Sequence, residues 1–352
     1  MVLYLIGLGL GDEKDITING LEAIKRSSHV FLEHYTAILG SVPVERLEAL
    51  YGKKITVADR EMVESQSDLI IAHAKESDVS FLVVGDPFAA TTHHDLLLRA
   101  ADEGIEVRTI HNASIMNAVA QCGLQLYNFG QTISVCFFRE GWRPDSFYDK
   151  VLINTTNGMH TLCLLDIKVK EQTPENLAKG IKEYEAPRYM TINTCIEQLF
   201  EVEDARKAGA YNEESRAFGI ARIGQADQQI VSGTLRELLA IDFGAPLHSL
   251  VIAAPHLHDV ELAMYEYWHW DKVARGAARK AARAEREAKE AVEEAARLER
   301  LKIEEANAPK IDPSSFIPKT KAPVRASSSV PKPSNGAASD SEDEQVVMEP
   351  LC

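Results

Sequence analysis

The sequence has few cysteines and no pair of them in the C-x-x-C spacing of a zinc or redox site. The five cysteines, an odd number, are Cys122, Cys136, Cys163, Cys195 and Cys352. We therefore expect reduced thiols in a cytoplasmic protein, with neither a disulfide framework nor a metal site. No apolar run reaches the roughly 20 residues that span a membrane. No basic segment precedes the first apolar run, so a secretory signal is not predicted.

The sequence also lacks a basic excess. Its net charge is −15 at pH 7, and residues 273–352 carry as many basic as acidic side chains, so the whole excess lies on residues 1–272. An acidic body repels a phosphate backbone, which argues against a nucleic-acid partner. With 352 residues, of which 45% are hydrophobic, the chain is long enough for two domains with buried cores.

The most informative stretch is the amino terminus, where an apolar run is followed by alternating glycines. Val2–Ile6 has the pattern of a buried parallel strand, and Gly7, Gly9 and Gly11 form the turn after it. Such a turn lets backbone N–H groups approach a ligand. The spacing G-x-G-x-G differs from the G-x-G-x-x-G of dinucleotide-binding folds. A ligand site and a plain tight turn both remain open.

Strand and helix patterns alternate in the first third of the chain. Strands are predicted at Leu3–Ile6, Val30–Leu32, Lys54–Val57, Val79–Val84 and Glu106–Ile110, with helical patterns such as Glu61–Ala74 and Asp95–Glu103 between them. This alternation predicts an α/β domain with a mostly parallel sheet and ligands at the carboxyl ends of its strands.

Fewer helices separate the strand patterns after about residue 120. These strands are Gln131–Phe137, His160–Asp166, Ala217–Ile223, Gln229–Val231 and Ser249–Ala253. They predict a second, α+β domain with a mixed sheet, and a cleft between the two domains. We place the N-terminal domain at 1–115 and the second domain at 116–272.

The composition changes after Trp270 to Ala, Glu, Arg and Lys. Pairs at i,i+4 such as Arg283–Glu287 favour a helix. Large apolar residues are almost absent, so we expect a solvated helix over 273–308, with a coiled coil as the alternative. Pro, Ser, Lys and Ala dominate residues 309–352, which predicts a disordered tail.

Two strand ends in the first domain carry unusual sequences. In Val84-Gly85-Asp86-Pro87, Asp86 would lie at the edge of the sheet, and a ligand contact or an Asx turn would explain it. In Ile110–Ala118, Asn112 or Ser114 would cap a helix whose free N–H groups suit a carboxylate. An ordinary capped helix is the alternative there.

Taken together, the glycine turn and the Gly-Asp-Pro strand end resemble the two signatures of the tetrapyrrole-methylase-like class of S-adenosylmethionine-dependent methyltransferases. Within that class, residues 1 to about 254 resemble the diphthine synthase family, and more specifically its methyl-ester-forming branch. The stretches that carry this resemblance are Gly85–His93, Ile110–Ala118, Cys122–Gly130, Asn157–Glu171, Pro187–Met190 and Pro246–Leu250.

The resemblance implies a fold, a cofactor and a substrate. It implies two α/β domains with S-adenosylmethionine in the cleft between them, and a homodimer. The implied substrate is the histidine of translation elongation factor 2 that carries a 3-amino-3-carboxypropyl group. Its amino nitrogen is methylated three times and, in the methyl-ester-forming branch, its carboxylate once.

The resemblance also implies a set of cofactor contacts. They are Leu10, Asp86, Ala89, Ser114, Ile115, Leu165, Ile223 and His248. Ala89 departs from the family, which usually has glycine at this position. A backbone contact with the cofactor survives this change if φ at Ala89 is negative.

Methyl transfer from a sulfonium needs alignment more than a nucleophilic triad, so no catalytic residue is assigned. The amine must lose a proton before each attack, to a water or to a nearby base. The candidates by position in expected cleft loops are His93, His94, His111 and His160. The residues that could loosely orient the carboxylate are Arg139, Arg143 and Arg188.

Other functions remain open. Glu33, at the end of the second predicted strand, lies where a nicotinamide-dependent dehydrogenase would have its ribose-binding carboxylate. The charged tail suits a translation-linked scaffold. A tetrapyrrole methylase and a diphthine synthase that stops at three methyl groups are the closer alternatives.

Overall fold

The computed structural model describes residues 1–40, 42–172, 176, 179–181, 183–276, 288–289, 291–292 and 295. The strands are β1 (Val2–Gly7), β2 (His29–Glu33), β3 (Thr56–Ala58), β4 (Val79–Val83), β5 (Glu106–Ile110), β6 (Ile133–Val135), β7 (Thr161–Leu165), β8 (Ile167–Lys168), β9 (Arg188–Tyr189), β10 (Arg216–Ala221), β11 (Gln229–Thr234) and β12 (His248–Ile252). The α-helices are α1 (Ile18–Arg26), α2 (Val44–Tyr51), α3 (Asp68–Glu76), α4 (His94–Asp102), α5 (Ile115–Ala118), α6 (Ser146–Thr156), α7 (Ile192–Arg206), α8 (Leu235–Leu239) and α9 (Asp259–Trp268).

The first sheet has the order β3-β2-β4-β1-β5, and all its strands are parallel. Its inner strand β1, between β4 and β5, is buried on both faces, with Leu3 and Leu5 in one hydrophobic core and Tyr4 and Ile6 in another. The predicted parallel sheet is therefore confirmed, and the carboxyl ends of its five strands share one edge.

The second sheet has the order β11-β10-β12-β7-β6. Its pairs are antiparallel except for β6 and β7, which run parallel. The predicted mixed sheet is confirmed, and it too has a hydrophobic core on each face. The small antiparallel sheet of β8 and β9 was not predicted.

Local signals in the sequence explain several element boundaries. The Thr17 hydroxyl accepts a hydrogen bond from the N–H of Gly20 at 3.0 Å, so Thr17 is the N-cap of α1. The predicted helix Glu61–Ala74 is instead a π-helical turn, Glu61–Ser65, followed by α3. The periodicity continues across both elements, which is why the break was missed.

The two sheets lie in one unit, Met1–Arg286, and the remaining residues form a second unit, Glu287–Cys352. The domain boundary at residue 115 therefore stays a prediction. Residues 270–276 are helical, but most of the predicted charged helix and the whole predicted tail lie outside the described residues. Cys122, Cys136, Cys163 and Cys195 are free thiols, whereas Cys352 is outside the described range. No helix in the described part of the chain is long and apolar enough to cross a membrane.

A buried pair of side chains ties α9 to the start of β7. The Nε2 of His160 lies 3.0 Å from a carboxylate oxygen of Glu261, and its Nδ1 accepts a hydrogen bond from the N–H of Ala254 at 2.9 Å. Because Nδ1 accepts, Nε2 carries the proton and the imidazole is neutral. Burial lowers the pKa of His160.

We expect the free energy of unfolding to fall as the pH is lowered from about 7.5 to about 5.5. The pKa of His160 is below its unfolded value, so its contribution is full above pH ~6.5 and is lost as the pH falls through the folded pKa, because unfolding then takes up a proton. Burial lowers the pKa of His93 and His248 as well, and these side chains add to the same slope.

Urea denaturation at several pH values measures this slope. His160→Gln should reduce it, whereas His256→Gln, at an exposed position, should leave it as in the wild type. An unchanged slope in the His160 variant would contradict the assignment.

Candidate functional site

A cleft with a cavity volume of about 360 Å³ lies at the carboxyl ends of the parallel strands and is completed by the second sheet. This volume is within the range of small-molecule sites. Seven of the eight predicted cofactor contacts line it: Leu10, Ala89, Ser114, Ile115, Leu165, Ile223 and His248. The eighth, Asp86, is adjacent to the lining residue Gly85 but does not line the cleft itself.

The glycine turn shapes the cleft through close backbone contacts. Gly9 and Gly85 exchange two backbone hydrogen bonds, of 3.2 and 2.8 Å, and both have φ near +80°. The N–H groups of Leu10 and Gly11 donate to the Asp15 carboxylate. These N–H groups are therefore occupied within the protein, and the turn contributes the Leu10 side chain to the cleft.

Asp86 joins the ends of β4 and β5. Its carboxylate accepts hydrogen bonds from the N–H groups of Phe88 at 2.9 Å and Asn112 at 3.1 Å, and it lies 2.8 Å from Nδ1 of His111. Burial alone would raise the pKa of Asp86, but the hydrogen bonds from Phe88, His111 and Asn112 lower it. The contact with Phe88 is the Asx turn that we considered as the alternative. Asp86 thus holds the loops after β4 and β5, which contain the cleft-lining residues Ala89 and Ser114.

Ser114 caps the short helix α5. Its hydroxyl accepts from the N–H of Met116 at 3.3 Å, and its own N–H donates to the Asn117 side chain at 2.8 Å. In the described part of the chain, the N–H of Ile115 has no hydrogen-bond partner. Of the two predicted caps, Ser114 is the one observed.

Ala89, which stands where the family usually has glycine, has the negative φ that a backbone contact with the cofactor requires. The described non-glycine residues with positive φ include its neighbour Ala90, at +59°, but not Ala89. A methyl group at residue 89 therefore costs no backbone strain.

Arg222 organises the opposite wall of the cleft. Its side chain is 9% exposed and donates to the Asp227 carboxylate at 2.8 Å and to the carbonyl of Phe243 at 2.7 Å, and it also donates to the carbonyl of Ala245. Nε2 of His248 lies 3.0 Å from the same Ala245 carbonyl. Arg222 was missed in the sequence, although an arginine within the apolar stretch Ala217–Ile223 was a signal for it.

His248, which lines the cleft, has a buried ring nitrogen without a hydrogen-bond partner in the described residues. Its Nε2 donates to Ala245, and its Nδ1 has no hydrogen-bond partner in the described residues. Burial first, and then the nearby Arg222 charge, lower the pKa of His248, so the imidazole is neutral. An unpaired acceptor is costly inside a protein unless a ligand uses it.

The four histidines considered as bases do not line the cleft. His93 was expected in a cleft loop, but it is buried in the core, with Nδ1 3.0 Å from the Pro87 carbonyl and its ring edge-on to Phe81. His160 is buried against α9, and His94 and His111 are exposed around Phe88. The expected position in a cleft loop was wrong for His93 and His160, because strand ends reveal loops but not the direction of each side chain.

The three arginines considered for a carboxylate also lie elsewhere. Arg139, Arg143 and Arg188 form ion pairs with Glu171, Glu201 and Glu185, in that order. None of the three lines the cleft.

Glu33 organises the loop that leaves β2. Its fully buried carboxylate accepts hydrogen bonds from the N–H of Tyr35 at 2.8 Å and from the Thr36 hydroxyl at 2.8 Å, and burial raises its pKa. The Glu33 carboxylate therefore stabilises this turn and does not line the cleft, where the ribose of a nicotinamide cofactor would need it. Tyr35 and Thr36, which this turn positions, line the cleft and were not predicted. Burial raises the pKa of Tyr35 to about 12.

Asp166 is a further lining residue that sequence reasoning missed. It follows Leu165 at the end of β7, and its carboxylate accepts from the N–H of Phe137 at 3.0 Å. The Lys168 ammonium lies 3.5 Å from the same oxygen. This places a carboxylate on the wall formed by the second sheet.

Comparisons with known proteins agree with this architecture. The profile of the family described as Tetrapyrrole (Corrin/Porphyrin) Methylases matches residues 2–239. A protein named diphthine methyl ester synthase from Dictyostelium discoideum is 60% identical over 267 residues, which are 76% of this chain and 97% of that protein. The protein of that name from Homo sapiens is 58% identical and covers 75% of this chain and 93% of its own length.

Solved structures give the same result. One from Entamoeba histolytica, named as a diphthine synthase, has a TM-score of 0.69 at 54% identity and covers 76% of this chain and 98% of its own. A second structure of a diphthine synthase has a TM-score of 0.64 at 34% identity and covers 76% of this chain and 96% of its own.

Arg222→Lys should destabilise the protein by about 1–3 kcal/mol, because a lysine cannot replace the fork of hydrogen bonds that holds residues 243–245. Denaturant unfolding gives the stability, and hydrogen exchange of residues 243–248 should become faster. Arg236→Lys, at a side chain 63% exposed, is the matched control and should change neither quantity. Equal effects in both variants would contradict the role of Arg222.

Proposed function

We propose that this chain uses S-adenosylmethionine to methylate the 3-amino-3-carboxypropyl histidine of translation elongation factor 2. The chain belongs to the tetrapyrrole methylase family and, within it, to the diphthine synthase family. It is therefore a methyltransferase of diphthamide biosynthesis. The observation that carries the proposal is that seven of the eight predicted cofactor contacts, which come from distant parts of the chain, line one cleft.

The residues of this cleft suit the proposed cofactor. Leu10, Ile115 and Ile223 offer apolar surface for a nucleoside, and His248 offers a neutral, unpaired Nδ1 as a hydrogen-bond acceptor. When bound, S-adenosylmethionine supplies a methyl group already activated by a sulfonium. The protein then has to hold the acceptor in line with that group, which can contribute roughly 7–11 kcal/mol.

Two tasks remain, orienting the acceptor and accepting the proton that its amine releases. The carboxylate of Asp166 suits the ammonium form of the acceptor and orients it. The four histidines considered as bases lie outside the lining, so we assign the proton that the amine releases to solvent water. The buried Tyr35 hydroxyl has no hydrogen-bond partner in the described residues and stays protonated at neutral pH, because burial raises its pKa to about 12.

The names of the relatives support the number of methyl transfers that we propose. Proteins 54–60% identical over at least 74% of this chain are named diphthine methyl ester synthases, which favours four transfers over three. A homodimer and a cytoplasmic site of action, next to the elongation factor, complete the proposal.

Intact mass of elongation factor 2 bearing the aminocarboxypropyl histidine, after incubation with this protein and S-adenosylmethionine, tests the function directly. We expect a gain of four methyl groups, one of which is lost on mild base treatment because it is an ester. Three base-stable methyl groups would assign the simpler diphthine synthase reaction. No gain despite cofactor binding would refute the substrate, and methylation of a porphyrinoid would favour a tetrapyrrole methylase.

Asp86→Ala should raise the dissociation constant of S-adenosylmethionine by about tenfold, because the loops after β4 and β5, which bring Ala89 and Ser114 to the cleft, lose the carboxylate that joins them. Isothermal titration calorimetry gives the constant. The control is Asp95→Ala, at an exposed helical position paired with Arg99. An unchanged affinity in the Asp86 variant would exclude this role.

A further inference from the structure

Three charged side chains line the described part of the cleft, and they differ in the hydrogen bonds and ion pairs that they make within the protein. They are Arg60, Asp166 and Arg222. Arg222 is buried and its guanidinium is committed to Asp227 and to backbone carbonyls. Asp166 accepts a backbone hydrogen bond and has Lys168 nearby. Arg60 is the cation of this set whose hydrogen-bonding capacity is still available.

Arg60 follows β3 and begins the π-helical turn. Its guanidinium lies over the Tyr35 ring, 5.3 Å from the centroid, and this contact holds it at the cleft. Its closest carboxylate is that of Glu64, at 3.8 Å, which is too long for a hydrogen bond. Within the described residues, Arg60 makes no hydrogen bond, and its side chain is 56% exposed.

The opposite wall comes close to this arginine. The Lys170 ammonium, which follows β8, lies 3.1 Å from the carboxylate of Asp59, the residue before Arg60. Lys170 is thereby paired, whereas the Arg60 guanidinium remains available to an anion. A planar guanidinium with free N–H groups matches a carboxylate in shape and charge.

We propose that Arg60 is a positioning residue that pairs with the carboxylate of the acceptor's aminocarboxypropyl group. This inference rests on the proposed function. With Asp166 on the other wall, the cleft offers one charge of each sign to a group that carries an ammonium and a carboxylate.

The exposure of Arg60 suits the last step of the proposed reaction. A half-exposed ion pair is weak, so the carboxylate keeps its ability to attack. Once the carboxylate is a methyl ester its negative charge is gone, and the attraction to Arg60 is lost. Arg60 therefore favours acceptors with a free acid over the esterified product.

This discrimination can be measured with two ligands that differ by one methyl group. They are elongation factor 2 with the trimethylated free acid and the same protein as its methyl ester, each titrated in the presence of S-adenosylhomocysteine. We expect the wild type to bind the acid about 2- to 5-fold more tightly than the ester, as is typical of a partly exposed ion pair. Arg60→Gln should bring this ratio close to one, and Arg60→Lys should restore part of it.

Arg108→Gln is the matched control, because Arg108 is 58% exposed and lies on β5 outside the cleft lining. It should keep the wild-type ratio. A wild-type ratio in Arg60→Gln would overturn the inference, and so would weaker binding of S-adenosylhomocysteine to that variant, since Arg60 would then serve the cofactor. If the wild type binds neither form of the factor, the proposed substrate itself fails.

Discussion

The backbone pairing between Gly9 and Gly85 is the contact on which the cleft depends. It joins the ends of β1 and β4, and both residues need the positive φ that glycine adopts easily. Asp86 extends the junction to β5 through the N–H of Asn112. The three strand ends are thereby held as one edge, and the side chains that line the cleft project from it.

The second sheet meets this edge at backbone distance. A Cβ on Gly11 would lie 2.7 Å from the carbonyl oxygen of Gly224, so the two walls approach more closely there than a side chain would allow. Arg222, two residues earlier, holds the segment that leads to His248. Rigid backbone contacts on both sides thus place the predicted cofactor contacts, which is how a site gains precision without a catalytic triad.

The charged groups around the cleft have two different uses. Glu33, Asp86 and Arg222 are buried or partly buried, and their hydrogen bonds hold loops in place. Burial makes such groups costly unless they are paired, and here they are. Arg60, half exposed and without a hydrogen bond in the described residues, is left to interact with a substrate.

Much of this protein was determined by local sequence. Hydrophobic periodicity predicted all five strands of the first sheet and the mixed character of the second, because burial on one or two faces imposes a repeat on the residues. The strand-end patterns predicted a ligand site at one edge of the first sheet, since parallel strands bring their carboxyl ends together there. The predicted contacts that line the cleft were implied by the resemblance to the methyltransferase family.

Only the tertiary structure decided which way the side chains at those ends turn. His93 points into the core, and Asp86 and Glu33 bond to N–H groups of their own loops and neighbouring loops. Arg60 and Tyr35 meet in the cleft although they leave different strands. A linear pattern shows where a strand ends, but the partner of each polar group depends on loops that are brought together only by folding.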